Sequence, residues 1–385
     1  MAKKKKVEGF SSFLNNSVDF TLVITVLLLL TMGLIMVLSA SSPTSLQKYD
    51  NSYYYFIRQL AFAILGLIGM YFISRIDYRI YQKLYKHAWV ISFLLLLAVL
   101  LVGHESHNAK RWINLGFTTF QPSEIVKFFM IVFYGGILVK NRDDLHLFGK
   151  GLVKHILFLA PIILLLLLEP HVSTSIVIII VCCVMMIVAG CKFWQFFLSG
   201  ITAAGIGGTI ATVLYFASEA FRNRFQYAVT RVVTFLDPWK DMAGDGWQVI
   251  QSLYAIGSGG LFGTGLGDGK QKYLYLPEPH NDFIFSVLAE ELGFVGCLVV
   301  FILFAVFIWR GILIAMKAPD MFGSLVAIGI TTLVGIQAII NIAVVTSSIP
   351  ATGMQLPFFS YGGTALFILL CEVGVLLSIS RAGNK

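Results

Sequence analysis

Apolar stretches of about 20 residues recur along almost the whole of this chain, and this recurrence limits the possible folds more than any other feature. About 20 residues at about 1.5 Å each is what a helix needs to cross the hydrocarbon of a bilayer. Ten stretches are read, near 19–40, 57–75, 87–103, 121–139, 152–168, 171–190, 192–217, 282–309, 322–346 and 357–380. Between 152 and 217 the only interruptions are Glu169-Pro170-His171 and Cys191-Lys192. In lipid the backbone must satisfy its own polar groups, so such spans are helices. Composition agrees: 57% of residues are hydrophobic and 12% charged, about half the charged share of a soluble domain. The expected fold is an all-α polytopic membrane protein of about ten transmembrane helices. It has a basic N-terminal segment at 1–18, one membrane domain at 19–381, a large outer loop at 218–281 between helices 7 and 8, and a tail at 382–385.

Charge gives the orientation. Lys3 to Lys6 precede the first span, and Arg75, Arg79, Lys83 and Lys86 follow the second. Lys140, Arg142, Lys150 and Lys154 follow the fourth, Arg310 and Lys317 the eighth, and Arg381 and Lys385 end the chain. With ten spans all of these fall on one side, whereas the short loop 41–56 opposite holds only Lys48. The positive-inside rule then puts both termini in the cytoplasm. The net charge of +8 therefore reads as topology and headgroup contact, and no aromatic-basic pattern of a nucleic-acid module accompanies it. The first apolar run lacks a small-residue cleavage site and reads as a retained helix. Cys182, Cys183, Cys191, Cys297 and Cys371 lie in or beside apolar stretches, show no C-x-x-C spacing, and read as small apolar residues.

The outer segment 218–281 is unusual. It carries Arg222, Arg224, Arg231, Lys240, Lys270 and Lys272 on a side where short loops are poor in charge. Long loops are exempt from the topology rule, and basic groups near a membrane surface can bind phosphates. WQVIQSLYAIG (247–257) has helical apolar spacing. The glycine-rich GSGGLFGTGLGDG (257–269) permits close backbone approach to a ligand or a tight irregular turn. Neither a dinucleotide fingerprint nor a Walker lysine is present.

Ionisable residues in or beside spans are expensive and become functional candidates. Glu124 and Lys127 in QPSEIVK (121–127) lie three apart on one helix face, as a structural ion pair or as the wall of a polar cavity. Glu290 and Glu291 sit in the eighth span and Glu372 in the tenth. Asp282 begins the eighth span in YLPEPHNDFIFSVLAEELG (275–293). A carboxylate there is either a helix cap or, at the membrane-water boundary, a general base. SSIPATGMQLPFFSYGGTALF (347–367) breaks regular helix at membrane depth, which is tolerated where it lines a cavity or is buried in protein.

PEPHNDFIFSVLAEELG, QPSEIVK, RWINLG (111–116), LDPWKD (236–241) and LPFFSYGG (356–363) occur in the order found in the SEDS proteins FtsW, RodA and SpoVE. The chain resembles that family over nearly its whole length. VLSASS (37–42), SRIDYR (74–79) and the basic N-terminus look more like the FtsW and SpoVE branch. Two positions depart from the pattern: His171 stands where an aspartate is common, and Thr352 where some FtsW proteins carry lysine.

The resemblance implies a ten-helix peptidoglycan glycosyltransferase that polymerises lipid II at the outer face of a bacterial cytoplasmic membrane, in division or spore-cortex synthesis. It implies a class B penicillin-binding protein and other divisome components as partners. Asp282 matches the essential aspartate of the large loop and is the catalytic candidate. Arg111 and Lys127 match basic positions near the fourth helix, and Arg224 and Arg231 are taken for pyrophosphate contact. The remaining substrate-binding candidates are Glu124, Gln251, Lys272, Glu278, His280, Glu291, Ser360 and Tyr361. No metal-ligand cluster is visible in the sequence, although a divalent cation, Mg or Mn, would suit the leaving group. A lipid II flippase and a non-catalytic scaffold are the competing expectations.

Overall fold

The computed structural model describes residues 18–106, 109–114, 116, 119–169, 171–196, 200, 215–216, 219–242, 244, 246–273 and 275–383. Among them are nine helices long and apolar enough to cross a membrane. These are α1 (Phe20–Tyr49), α2 (Tyr54–Ser74), α3 (Arg79–Val102), α4 (Pro122–Lys140), α5 (Lys154–Leu168, entered through a π-helical turn at Phe148–Val153) and α6 (Val172–Ala189). After two outer helices, α7 (Glu219–Leu236) and α8 (Trp247–Gly259), come α9 (Ile284–Lys317), α10 (Met321–Val345) and α11 (Gly363–Gly383). The expected seventh span, 192–217, lies largely outside the described residues, as do 1–17 of the expected N-terminal segment and 384–385 of the tail.

The helices arrange by polarity. α4, α10 and α11 are buried along most of their length and form the centre of the bundle, whereas α2 and α3 turn most of their residues outward. Outward Ile64, Leu65, Ile68, Phe72 and Leu94 form an apolar, lipid-facing surface. In lipid, packing rests on close fit and hydrogen bonds, since the surroundings are as apolar as the interior.

One end of the bundle is tied by charges. Asp19 caps α1 by accepting from Leu22 N (2.9 Å) and pairs with Arg310. Asp320 caps α10 through Gly323 N (2.8 Å) and accepts from Tyr78 Oη (2.6 Å) and Arg79 Nε (3.0 Å). The opposite end carries α7, α8 and a small antiparallel sheet of three short strands, a minor addition to the expected all-α membrane fold. β1 (His104–Ser106) pairs with β2 (Ala109–Asn114), and β2 pairs with β3 (Thr119–Phe120) through Ile113↔Phe120.

α9 is not continuous. Gly293 takes φ 65, ψ −165, which breaks the helix one turn after Glu290. The freed backbone pairs with the glycine-rich segment: Thr264 N donates to Glu290 O (2.9 Å), Gly265 N to Glu291 O (3.1 Å), Phe294 N to Gly260 O (2.9 Å) and Val295 N to Leu261 O (3.1 Å). The glycines here serve contact between chain segments. A side chain on Gly263 would strike the Glu291 carbonyl, and one on Gly293 would strike Gly263 N.

Candidate functional site

Asp282 lies at the tied-off end of the long outer segment, two residues before α9. The helix cap falls on Phe283, so Asp282 does not occupy the capping position. Instead, three consecutive carbonyls leading into it are each held by a donor. His280 O accepts from Tyr361 N (2.8 Å), Asn281 O from Ser360 Oγ (2.7 Å) and Asp282 O from Asn341 Nδ2 (2.7 Å). Asn341 Nδ2 also donates to Met354 O (2.7 Å), and Ser360 Oγ accepts from Leu356 N (2.8 Å). The irregular 346–362 connection and the 278–282 strip are thereby one unit. The half-buried Asp282 carboxylate sits beside Gly353, its Oδ2 3.3 Å from where a Cβ would be. Three non-glycine residues in this unit, Glu278 (φ 46), Ser347 (φ 51) and Phe358 (φ 68), take left-handed backbone, each costing on the order of 1–3 kcal/mol. The surrounding hydrogen bonds offset that cost.

Around this unit the described residues form distinct groups. Glu278 and His280 are beside Asp282: Glu278 Oε2 accepts from Asn281 Nδ2 (2.8 Å) and lies 3.6 Å from His280 Nε2. Burial pushes the His280 imidazole down to about 4, with Lys48 acting in the same direction and Glu278 against it. Burial also raises the Tyr361 phenol. Arg231, on α7, reaches over the 346–362 connection and donates to Ala351 O (2.8 Å). Arg224 lies on the same helix, and its side chain is outside the described residues.

Behind the strip is a polar cavity lined by Glu124, Lys127, Gln337, Gln355, Ser360 and Glu372, among others. It offers about 30 Å³ to the centre of a water molecule, room for about two waters. Lys127 Nζ meets Glu124 Oε2 at 2.8 Å, and both alternatives read from the sequence coexist, an ion pair that is also a cavity wall. Ser360 belongs to both groups, bonding Asn281 O on one side and facing the cavity on the other.

Arg111 belongs to a third group, where its Nε donates to Glu169 O (3.3 Å). Burial raises the Glu169 carboxyl to about 8 against the pull of Arg111. Burial, then Arg111 and Lys127, lowers the His171 imidazole to about 3, so the neutral ring shares Nε2 with Thr174 Oγ1 (3.0 Å). Gln251 is buried on α8, next to Ser252, whose Oγ meets Ser286 Oγ and Val345 O, both at 2.7 Å.

Lys272 and Glu291 fall apart from Asp282. Their ion pair (2.6 Å) is buried, and both partners are occupied by the protein itself. Glu291 accepts from Ser39 Oγ (2.7 and 2.8 Å) and Gly267 N (3.1 Å), and Lys272 donates to Gly267 O (2.6 Å) and Ser39 Oγ (2.9 Å). This cluster pins the glycine-rich segment to α1 and α9.

Asn341 and Gln59 escaped the sequence reading. Gln59 Nε2 donates to Ser360 O (3.1 Å) and its Oε1 accepts from Gly362 N (3.1 Å), so α2 braces the same connection. Their only signal was an uncharged polar side chain inside an apolar run. Among the described residues no group of three or more His, Cys, Asp or Glu side chains could hold a metal ion, so these residues do not fit a protein cage for a divalent cation.

The family described as Cell cycle protein (FtsW, RodA, SpoVE) matches residues 20–385. Stage V sporulation protein E of Bacillus subtilis (strain 168) is 44% identical over 367 residues, covering 95% of this chain and 97% of that protein. The probable peptidoglycan glycosyltransferase FtsW of Geobacter sp. (strain M18) is 39% identical over 378 residues, covering 98% of each. Among solved structures, a chain from a peptidoglycan synthase complex that coordinates polymerization and crosslinking superposes with a TM-score of 0.76 at 28% identity, covering 95% of this chain and 98% of that one. The rod shape determining protein RodA of Thermus thermophilus does so with a TM-score of 0.68 at 26% identity, covering 95% and 97%. In sequence and in fold, over nearly its full length, the chain belongs to the FtsW/RodA/SpoVE family of cell cycle proteins.

Proposed function

We propose that this chain is a peptidoglycan glycosyltransferase that polymerises lipid II, with Asp282 as its general base. The observation that carries this reading is the triple anchoring of carbonyls 280, 281 and 282, which fixes the aspartate at the junction of the outer segment and the bundle. Fixed orientation is what a general base needs, since a small misplacement costs large factors in rate. The names of the full-length relatives support the reaction class.

The chemistry follows from the acceptor. The Asp282 carboxylate removes the proton of the acceptor's GlcNAc 4-hydroxyl. That oxygen forms a bond to the anomeric carbon of the lipid-linked donor as the bond to undecaprenyl pyrophosphate breaks. The electron pair leaves with the pyrophosphate, and an α-linked donor gives a β-1,4 link by inversion. Arg231, above the connection that carries Gly353, supplies positive charge suited to the pyrophosphate. We assign a crosslinking transpeptidase of the class B penicillin-binding type as partner, which the likeness to a synthase complex supports. The relatives support a role in the division septum or spore cortex of a bacterium, and the basic loops support cytoplasmic termini.

The test is polymerisation of labelled lipid II by the purified chain with its partner, resolved on a gel, against Asp282→Asn. Polymer from the wild type and none from a folded, partner-bound variant is expected. Equal polymer from the variant, or none from the wild-type complex, sinks the assignment.

A further inference from the structure

The cavity behind Ser360 admits about two waters, so it is too small for a sugar. On the glycosyltransferase reading, a saccharide also calls for an outer face near Asp282. The turn between α1 and α2 offers one. Tyr49, the last residue of α1, stacks on Tyr54, the first of α2, with ring centroids 3.8 Å apart and planes at 17°. Arg58, one helical turn on, lies over the Tyr54 ring, its guanidinium carbon 4.7 Å from the ring centroid. Tyr49 itself is 46% exposed. Tyr55 stands edge-on to both stacked rings, 5.7 and 5.5 Å away. It packs on His280 (4.6 Å) and Tyr361 (4.8 Å), the residues joined through His280 O in the strip that anchors Asp282.

We propose that the outward face of Tyr49, backed by Tyr54 and Arg58, is a stacking subsite for a pyranose ring of the glycan, away from the bond being formed. This rests on the glycosyltransferase reading and gives that site a second point of substrate contact. The C–H face of a pyranose matches the electron-rich face of an aromatic ring. Lys48, Asp50 and Asn51, exposed around Tyr49, suit the hydroxyl and N-acetyl groups at the ring's edge. A tyrosine serving only as a membrane-interface anchor needs no such rigid stack coupled to the Asp282 strip.

The probe is N-acetylchitotetraose, followed by saturation-transfer NMR on the full chain in nanodiscs. The wild type, Tyr49→Phe and Asp282→Asn are expected to bind it, and Tyr49→Leu to bind at least about tenfold more weakly. With lipid II and the partner, Tyr49→Leu should raise KM about tenfold with kcat within about twofold. Tyr49→Trp widens the face, and equal or tighter binding supports the subsite even if the leucine variant aggregates. No binding by the wild type, equal binding by Tyr49→Leu, or weaker binding by Tyr49→Trp overturns it. Tyr49-dependent sugar binding in a chain that makes no polymer leaves the subsite standing and removes the catalytic reading.

Discussion

Asn341 directs one amide nitrogen at two carbonyls, Asp282 O and Met354 O, both at 2.7 Å. Asn341→Ala leaves both unpaired in a largely dry setting, at about 1–3 kcal/mol each. We expect a lower unfolding temperature, and a loss of polymerisation larger than the loss of lipid II binding; equal losses in both would mean that Asn341 does not orient the base. His280 gives a pH dependence at the same strip. Its folded value, about 4, is below the ordinary 6.5, so its contribution is complete above pH 6.5 and is lost as pH falls toward 4. Activity should fall reversibly over that window and become flatter there in His280→Gln, as a pH-rate profile checks. Asp282, Ser360 and Tyr361 were legible because each lies in a motif. Asn341 and Gln59 were not, since an uncharged amide in an apolar run states nothing about partners 59 and 301 residues away. The mutual pairing of Lys272 and Glu291 was hidden for the same reason: their third partner, Ser39, is 233 residues from one and 252 from the other.

At the scale of elements, the break in α9 ties the glycine-rich outer segment to the bundle. The sequence reads as one helix from 282 to 309, because an isolated glycine in an apolar run is ordinarily tolerated. The break is instead stabilised from outside, by backbone at 260–265 that no local pattern associates with 290–295. Gly293→Ala forces a Cβ into a backbone region open essentially to glycine and against Gly263 N. A loss of about 2 kcal/mol or more is expected in thermal unfolding, with reduced polymerisation although Asp282 is untouched. Neighbouring Glu291 tests the clasp by charge. Glu291→Gln strands the buried Lys272 ammonium, which costs about 3–5 kcal/mol when an ion pair is broken on one side. The double variant Lys272→Met with Glu291→Leu should recover most of that loss. If it is no more stable than Glu291→Gln alone, the pair is not what holds the segment.

For the whole molecule, the distribution of charge and the positions of the described ends can be tested together. Asp19–Arg310, Arg79–Asp320 and the Ser378 Oγ bond to Ile76 O (2.5 Å) gather the ends of α1, α2, α3, α9, α10 and α11 at one face, where Arg75, Lys83, Lys86, Lys317 and Arg381 also cluster in sequence. On the proposed orientation, which the positive-inside rule supports, this face is the cytoplasmic one. α6 starts at the other face, where Ser173 Oγ bonds Thr352 O, and runs away from it toward Lys192. Arg231 on α7 is back at the Asp282 face through Ala351 O. Lys192 and Lys240 should therefore lie on opposite sides of the membrane. A membrane-impermeant maleimide applied to intact cells should label Asn51→Cys and Lys240→Cys. Arg142→Cys and Lys192→Cys should react only after permeabilisation. Labelling of Lys192→Cys and Lys240→Cys from the same side would remove the expected crossing at 192–217 and the even count that lets both termini share the cytoplasm.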